Sequence, residues 1–211
     1  MSTEIKICGL TSLDDAKAAM DSGADYLGFV LYPVSPRAVK LESLPGLLNA
    51  LPSARAVAVV VNMDRRSIEW LLARCALHAV QFHGDEDPAV GRGLDVRVWR
   101  AVSFRNGAWE PDPGIWDCAA RLVVDASAPK RYGGSGELAD WDAAARLAAS
   151  RETMLAGGLN PGNVAAAVRA VRPIGVDVAG GVESAPGRKD HAAVRRFIEA
   201  VRREERSGAE Q

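Results

Sequence analysis

One pattern repeats from end to end of the chain: a short run of apolar, mostly β-branched residues, a turn, then a longer amphipathic stretch. The apolar runs fall at 5–8, 26–31, 56–61, 79–82, 96–102, 122–124, 154–156 and 174–178. Stretches with helical spacing follow at 12–22, 41–51, 65–75, briefly after Asp85, weakly near Ile115, and at 141–149, 160–171 and 190–203. The pairing gives eight strand-then-helix units in 211 residues, about 26 each. A run such as 56–61, nothing but alanine and valine, reads as a strand covered on both faces, which is the mark of a parallel sheet under helices. Eight units closing on themselves predict an α/β fold, a (β/α)8 TIM barrel with an outer ring of helices, near that fold's lower size limit of about 200 residues. An open doubly wound sheet would carry GxGxxG after its first strand, where this chain has Cys8-Gly9-Leu10-Thr11-Ser12. No shift in composition marks a boundary, so a single compact barrel is expected over 1–205, with a polar tail at 206–211.

Charge narrows the partners. With 26 basic and 27 acidic side chains the formal net charge is −1, which supplies no bulk attraction to nucleic acid or to an anionic membrane. Three cysteines, Cys8, Cys75 and Cys118, are an odd number with no CxxC pair, so neither a disulfide framework nor a zinc knuckle is expected. The start, Met1 to Lys6, lacks a basic segment and an apolar core of the secretory kind, and no apolar run approaches the roughly 20 residues that span a bilayer. A cytoplasmic protein with reduced thiols is expected, and three histidines offer no metal set. The expected partner is a small molecule, with no nucleic acid and no membrane; protein partners are not legible.

In a barrel, side-chain parity decides which residues face the lumen, and the C-terminal strand ends carry the chemistry. If Ile5, Ile7, Val124, Val176 and Val178 face the helices, then Lys6, Cys8, Val123, Asp125 and Asp177 face inward. Polar residues there break the apolar rule without an evident gain in stability, which marks a site. A buried ion-paired layer of Lys6, Arg100 and Asp177 is the structural alternative. Cys8 ends its strand on the catalytic face, where neighbouring cations would lower its pKa and make it a base. Cys75 and Cys118, in helix patterns, read as packing. His83, in Gln81-Phe82-His83-Gly84, is the one histidine ending a strand on the active face. Three glycine-rich loops follow late strands: Gly133-Gly134-Ser135-Gly136, Gly157-Gly158 and Gly180-Gly181. Glycines let backbone N–H groups approach an anion, so Gly134, Ser135, Gly136, Gly157, Gly158, Gly180 and Gly181 are expected to grip a phosphate.

Lys6-Ile7-Cys8-Gly9-Leu10-Thr11 resembles the opening signature of the phosphoribosylanthranilate isomerase family of tryptophan biosynthesis. The resemblance continues in order through Ser35-Pro36-Arg37, Val61-Asn62, Gln81-Phe82-His83-Gly84-Asp85-Glu86, Gly133-Gly134-Ser135-Gly136 and Asp140-Trp141. It ends with Ala156-Gly157-Gly158-Leu159-Asn160-Pro161, Gly175-Val176-Asp177-Val178 and Gly181-Val182-Glu183-Ser184. It implies an Amadori rearrangement of N-(5-phospho-D-ribosyl)anthranilate to 1-(2-carboxyphenylamino)-1-deoxy-D-ribulose 5-phosphate without cofactor or metal. By the same resemblance Asp125 is the general acid on the ring oxygen, Cys8 the general base at the neighbouring sugar carbon, and Arg37 the partner of the anthranilate carboxylate. His83 and Asp177 join Arg37 as expected substrate-binding residues. Such a base must reach its thiolate and such an acid must hold its proton, so a bell-shaped pH profile is expected.

The chain departs from the family pattern at Ala179-Gly180-Gly181, where Ser-Ser-Gly is usual, at Ala139 in place of phenylalanine, and at Phe82 in place of leucine. The first departure leaves only backbone donors at one phosphate loop. Two rivals stand beside this reading. One is a histidine-pathway phosphosugar isomerase, which Cys8 disfavours because that group generally uses an aspartate at the end of the first strand, or a dual-substrate enzyme, which separate assays of the two substrates distinguish. The other is a non-catalytic barrel binding a phosphorylated metabolite, which would need neither proton-transfer group.

Overall fold

The computed structural model describes residues 2–126 and 138–209. Eight parallel strands close a barrel: β1 (Glu4–Ile7), β2 (Tyr26–Val30), β3 (Ala56–Val60), β4 (Ala79–Phe82), β5 (Arg97–Arg105), β7 (Ala119–Val124), β8 (Thr153–Leu155) and β9 (Gly175–Val178). Each pairs with its neighbours in sequence order, and β9 returns to β1 with Lys6 beside Asp177. A short strand, β6 (Ala108–Glu110), folds back antiparallel on the long end of β5. After β9 the chain forms a small hairpin of β10 (Glu183–Ala185) and β11 (Arg188–Lys189).

Strand parity is as the sequence predicts. Ile5, Ile7, Val124, Val176 and Val178 lie in the outer apolar layer between sheet and helices, while Tyr26, Val57, Ala79, Trp99, Val123 and Met154 fill the lumen. The outer layer is covered by α1 (Leu13–Asp21), α2 (Leu44–Asn49), α3 (Arg65–Leu72), α4 (Trp141–Ala148), α5 (Val164–Val171) and α6 (His191–Ala209). Polar caps start several of them: the side chains of Ser12, Asp64 and Asp140 accept hydrogen bonds from Asp15 N, Ser67 N and Ala143 N. Thr11, next to the Ser12 cap, donates its hydroxyl to Gly187 O at 2.6 Å.

The fourth and fifth units depart from the pattern. Their helices are single 3-10 turns, Pro88–Val90 and Pro113–Ile115. Side chains cover the flank instead: Trp116 is fully buried, 5.4 Å from the Phe82 ring, and the Arg100 guanidinium lies 4.6 Å over its ring. This corrects the expected Lys6–Arg100–Asp177 layer. Arg100 shares the parity of the outward Val98 and Val102, and it donates to Glu86 Oε2 at 2.7 Å and Gly84 O at 2.6 Å outside the lumen.

Helix α6 runs through residue 209 and so takes in most of the expected tail. Two ion pairs and a hydrogen bond tie its C-terminal half to the barrel. Arg169 meets Glu204 at 2.5 Å, Arg202 meets Asp25 at 3.1 Å, and Glu205 accepts from Thr3 N. Helix α5 starts later than expected. Asn160 caps a preceding turn, accepting from Gly162 N, and the helix follows Asn163. Cys75 lies just beyond α3 and Cys118 in the turn before β7; both pack on the outer layer without helical backbone. Among the described residues no helix is long and apolar enough to cross a membrane.

Candidate active site

The C-terminal end of the lumen opens into a cavity of about 650 Å³, bordered by the ends of β1, β3, β4, β7, β8 and β9. Its floor is set by Lys6, fully buried at mid-barrel. The ammonium donates to Asp177 Oδ2 at 2.8 Å and to Gln81 Oε1 at 3.0 Å. Burial works against this charge, but Asp177 and Cys8 outweigh it and hold the Lys6 pKa above the ordinary lysine range. Asp177 borders the cavity, and its second oxygen, Oδ1, is buried with no hydrogen-bond partner among the described residues.

Above Lys6 sits Cys8, also buried and bordering the cavity. Burial raises its pKa, with Asp177 adding to that rise, while Lys6 and Lys189 oppose it. The net direction corrects the expected lowering, because desolvation of the thiolate exceeds what the cations return. The close packing of Lys6 and Cys8 depends on Gly28 of β2. A Cβ there would lie 2.7 Å from Cys8 Sγ and 3.0 Å from Lys6 Cε.

A second group of charges forms one rim. Arg37 Nε and Nη2 donate to the two oxygens of Glu183 at 2.8 and 2.7 Å. Lys189 Nζ donates to Glu183 Oε1 at 2.8 Å and Ala179 O at 3.1 Å. Burial opposes the Glu183 carboxylate, yet its bonds to Arg37 and Lys189 win and hold its pKa below the ordinary range. Burial also lowers the pKa of Lys189.

Across the lumen, His83 Nε2 lies 3.3 Å from Asp125 Oδ2, and its Nδ1 lies 3.2 Å from Gln81 Nε2. The loop behind His83 is tied by Glu86, which accepts from Gly84 N, Asn62 N and Arg100. On the remaining rim the loops after β8 and β9 meet backbone to backbone. A Cβ on Gly181 would overlap Leu159 O at 1.9 Å, so only glycine permits this approach. Asn163 Nδ2 donates to Gly158 O at 3.0 Å and braces the Gly157-Gly158 turn.

The structure thus brings Cys8, Arg37, His83, Asp125, Gly157, Gly158, Asp177, Gly180 and Gly181 to one cavity. Gly134, Ser135 and Gly136 lie outside the described residues. Sequence reasoning left Gly28, Gln81, Glu183 and Lys189 without roles. Gln81 and Glu183 stood inside the quoted motifs, whereas Lys189 sits in a short hairpin with no periodicity to mark it.

A closed (β/α)8 barrel with a thiol, a carboxylate and a guanidinium around one pocket at its C-terminal face belongs to the barrel enzymes, whose chemistry sits at that end. The family model described as N-(5'phosphoribosyl)anthranilate (PRA) isomerase matches residues 5–200, and the chain belongs to that family. The N-(5'-phosphoribosyl)anthranilate isomerase of Magnetococcus marinus is 46% identical over 204 residues, covering 96% of this chain and 97% of that protein. That of Geobacter sulfurreducens is 45% identical, covering 92% and 96%. The crystal structure of the Thermotoga maritima phosphoribosyl anthranilate isomerase superposes with a TM-score of 0.84 at 37% identity, covering 95% and 98% of the two chains. Another isomerase structure holds reduced 1-(o-carboxyphenylamino)-1-deoxyribulose 5-phosphate; it has a TM-score of 0.81 and 34% identity, covering 95% and 98%.

Proposed function

We infer that this chain isomerises N-(5'-phosphoribosyl)anthranilate in tryptophan biosynthesis, with Asp125 and Cys8 carrying the two proton transfers. The observation that supports the residue roles is a buried thiol and a carboxylate bordering the same cavity, one beside the Lys6–Asp177 pair and the other beside His83. Asp125, protonated, gives its proton to the ribose ring oxygen as the C1–O bond breaks, and the anthranilate nitrogen lone pair forms the C=N bond. The Cys8 thiolate then takes the proton from C2, and the electron pair moves to close an enolamine. Gain of a proton at C1 and loss of one from the 2-hydroxyl give the ketone, so protons balance over the cycle.

Arg37 commits two N–H groups to Glu183, and that pairing sets the plane in which the rest of its fork meets the anthranilate carboxylate. The orphan Oδ1 of Asp177 accepts a sugar hydroxyl, which relieves a buried unpaired acceptor. Backbone amides of Gly157, Gly158, Gly180 and Gly181 hold the phosphate. The substrate is a small phosphosugar, and the outer faces of the barrel are not needed for it.

The test is turnover of substrate generated in situ, followed by loss of anthranilate-type fluorescence, with growth of a tryptophan auxotroph lacking the isomerase as the cellular counterpart. Wild type should turn over and complement, and Cys8→Ala and Asp125→Ala should do neither. Complementation by Cys8→Ala at wild-type turnover would sink the role assigned to the thiol.

A further inference from the structure

Two residues below the mouth of the cavity have no place in the proton transfers above, yet they join the two groups that do. Lys6 Nζ is a donor only, so the Gln81 atom 3.0 Å from it is the amide oxygen, and the orientation of that amide is settled without choice. The other end of the amide, the NH2 group, then faces His83 Nδ1 at 3.2 Å. An amide NH2 can only donate, so Nδ1 must be the unprotonated nitrogen of the ring. The ring proton therefore sits on Nε2, the atom 3.3 Å from Asp125 Oδ2. Gln81 is 1% exposed and Lys6 fully buried, so water does not compete for these contacts. Lys6 itself is anchored by Asp177 at 2.8 Å.

We propose that Asp177, Lys6 and Gln81 form a positioning relay that locks His83 as its Nε2–H tautomer, so that His83 donates from Nε2 to Oδ2 of Asp125 and fixes the orientation of its carboxyl group. The proposal rests on Asp125 being the general acid. Lys6, Gln81 and His83 are positioning residues in it, acting through Asp125. The same Lys6 flanks Cys8, so one buried ammonium orients the acid through the relay and steadies the base directly.

The first link is read in the ligand-free wild-type protein by 15N NMR of the imidazole rings. With only three histidines, His78→Asn and His191→Asn variants assign the signals. The expected result is a single His83 tautomer with Nε2 protonated and Nδ1 bare; a protonated Nδ1, or a mixture of tautomers, would overturn the relay. The second link is read in Gln81→Met, which keeps the volume and removes both amide contacts. His83 should lose its single tautomer, and kcat should fall on the order of tenfold to a hundredfold with KM within about twofold, part of the 10²–10⁴ that general acid–base groups contribute. A Gln81→Met protein that keeps the Nε2–H tautomer, or that loses it with wild-type kcat, would overturn the positioning role. Should Gln81→Met not fold, the wild-type spectrum still decides the first link. The underlying reading fails separately: full turnover in Asp125→Ala would remove the general acid while leaving the tautomer measurement intact.

Discussion

The two ends of the barrel lumen are both polar, and they differ in whether their charges are used up. At the N-terminal end the Tyr26 hydroxyl meets Glu4 at 2.7 Å and Arg121 at 3.0 Å, while Arg121 pairs with Glu4 at 2.5 Å and Glu152 at 3.1 Å. Arg55 lies 4.9 Å over the Tyr26 ring and pairs with Asp25 at 3.5 Å. Each of these charges has a partner of opposite sign. At the C-terminal end three cations, Lys6, Arg37 and Lys189, share two carboxylates, Asp177 and Glu183, and one carboxylate oxygen is left unpartnered. Within that group the cations exceed the carboxylates by one, and a thiolate at Cys8, an ionised Asp125 across the cavity or an anionic substrate neutralises the excess. A saturated cluster closes a barrel; an unsaturated one binds and reacts.

Substitutions at the two ends should therefore fail in different ways. The largest effect is expected for Cys8→Ala and Asp125→Ala, which should lower kcat by about 10²–10⁴-fold, or roughly 3–5 kcal/mol of transition-state stabilisation. Thermal denaturation should shift little in either, because neither removes an apolar anchor. Next is Arg121→Leu at the closed end, which leaves Glu4 and the Tyr26 hydroxyl without their shared partner. About 2–3 kcal/mol of stability should be lost in urea denaturation, with kcat within about twofold of wild type. A large fall in kcat for Arg121→Leu would erase the contrast between the ends. Arg37→Ala should raise KM as well as lower kcat, by about tenfold in kcat/KM, measured in the steady state.

The barrel and the direction of its inward side chains were legible because both follow from period-2 alternation, which Ile5, Ile7, Val176 and Val178 display without exception. Cys8, Asp125 and Asp177 could be placed on the right face for that reason alone. Arg100 was misplaced although Val98 and Val102 share its parity; its polarity suggested the lumen, while its true setting, under Trp116 where a helix is missing, depends on a contact 16 residues away in the chain. Gly28 was silent because a glycine inside an apolar strand has no polarity to notice, and its reason, the room needed by Cys8 and Lys6, exists only once β1 and β2 are side by side. Glu183 and Lys189 belong to a hairpin too short to show alternation. The direction of the Cys8 pKa depended on weighing burial against two cations, one of them that same Lys189. Composition cannot weigh them.

The smallest effect sharpens the comparison most, because it measures the electrostatics of the open end directly. Burial raises the Cys8 pKa, Asp177 pushes the same way, and Lys6 and Lys189 oppose both. Only the thiolate alkylates, so the rate of Cys8 modification by iodoacetamide, read at the residue by mass spectrometry, should rise about tenfold per pH unit through neutrality and continue to rise above the usual thiol pKa of about 8.5. Lys189→Met removes one opposing cation and leaves the burial, so the pKa should move further up and modification at a given pH should slow by about threefold to tenfold. Arg121→Leu, at the other end of the lumen, should leave that rate unchanged. A Cys8 rate that levels off below pH 8 would mean that the cations outweigh burial, and the C-terminal end would then hold a standing thiolate in the free protein. In that case the positive charge left over by Asp177 and Glu183 would already be neutralised before substrate arrives, and the two ends would differ in geometry alone.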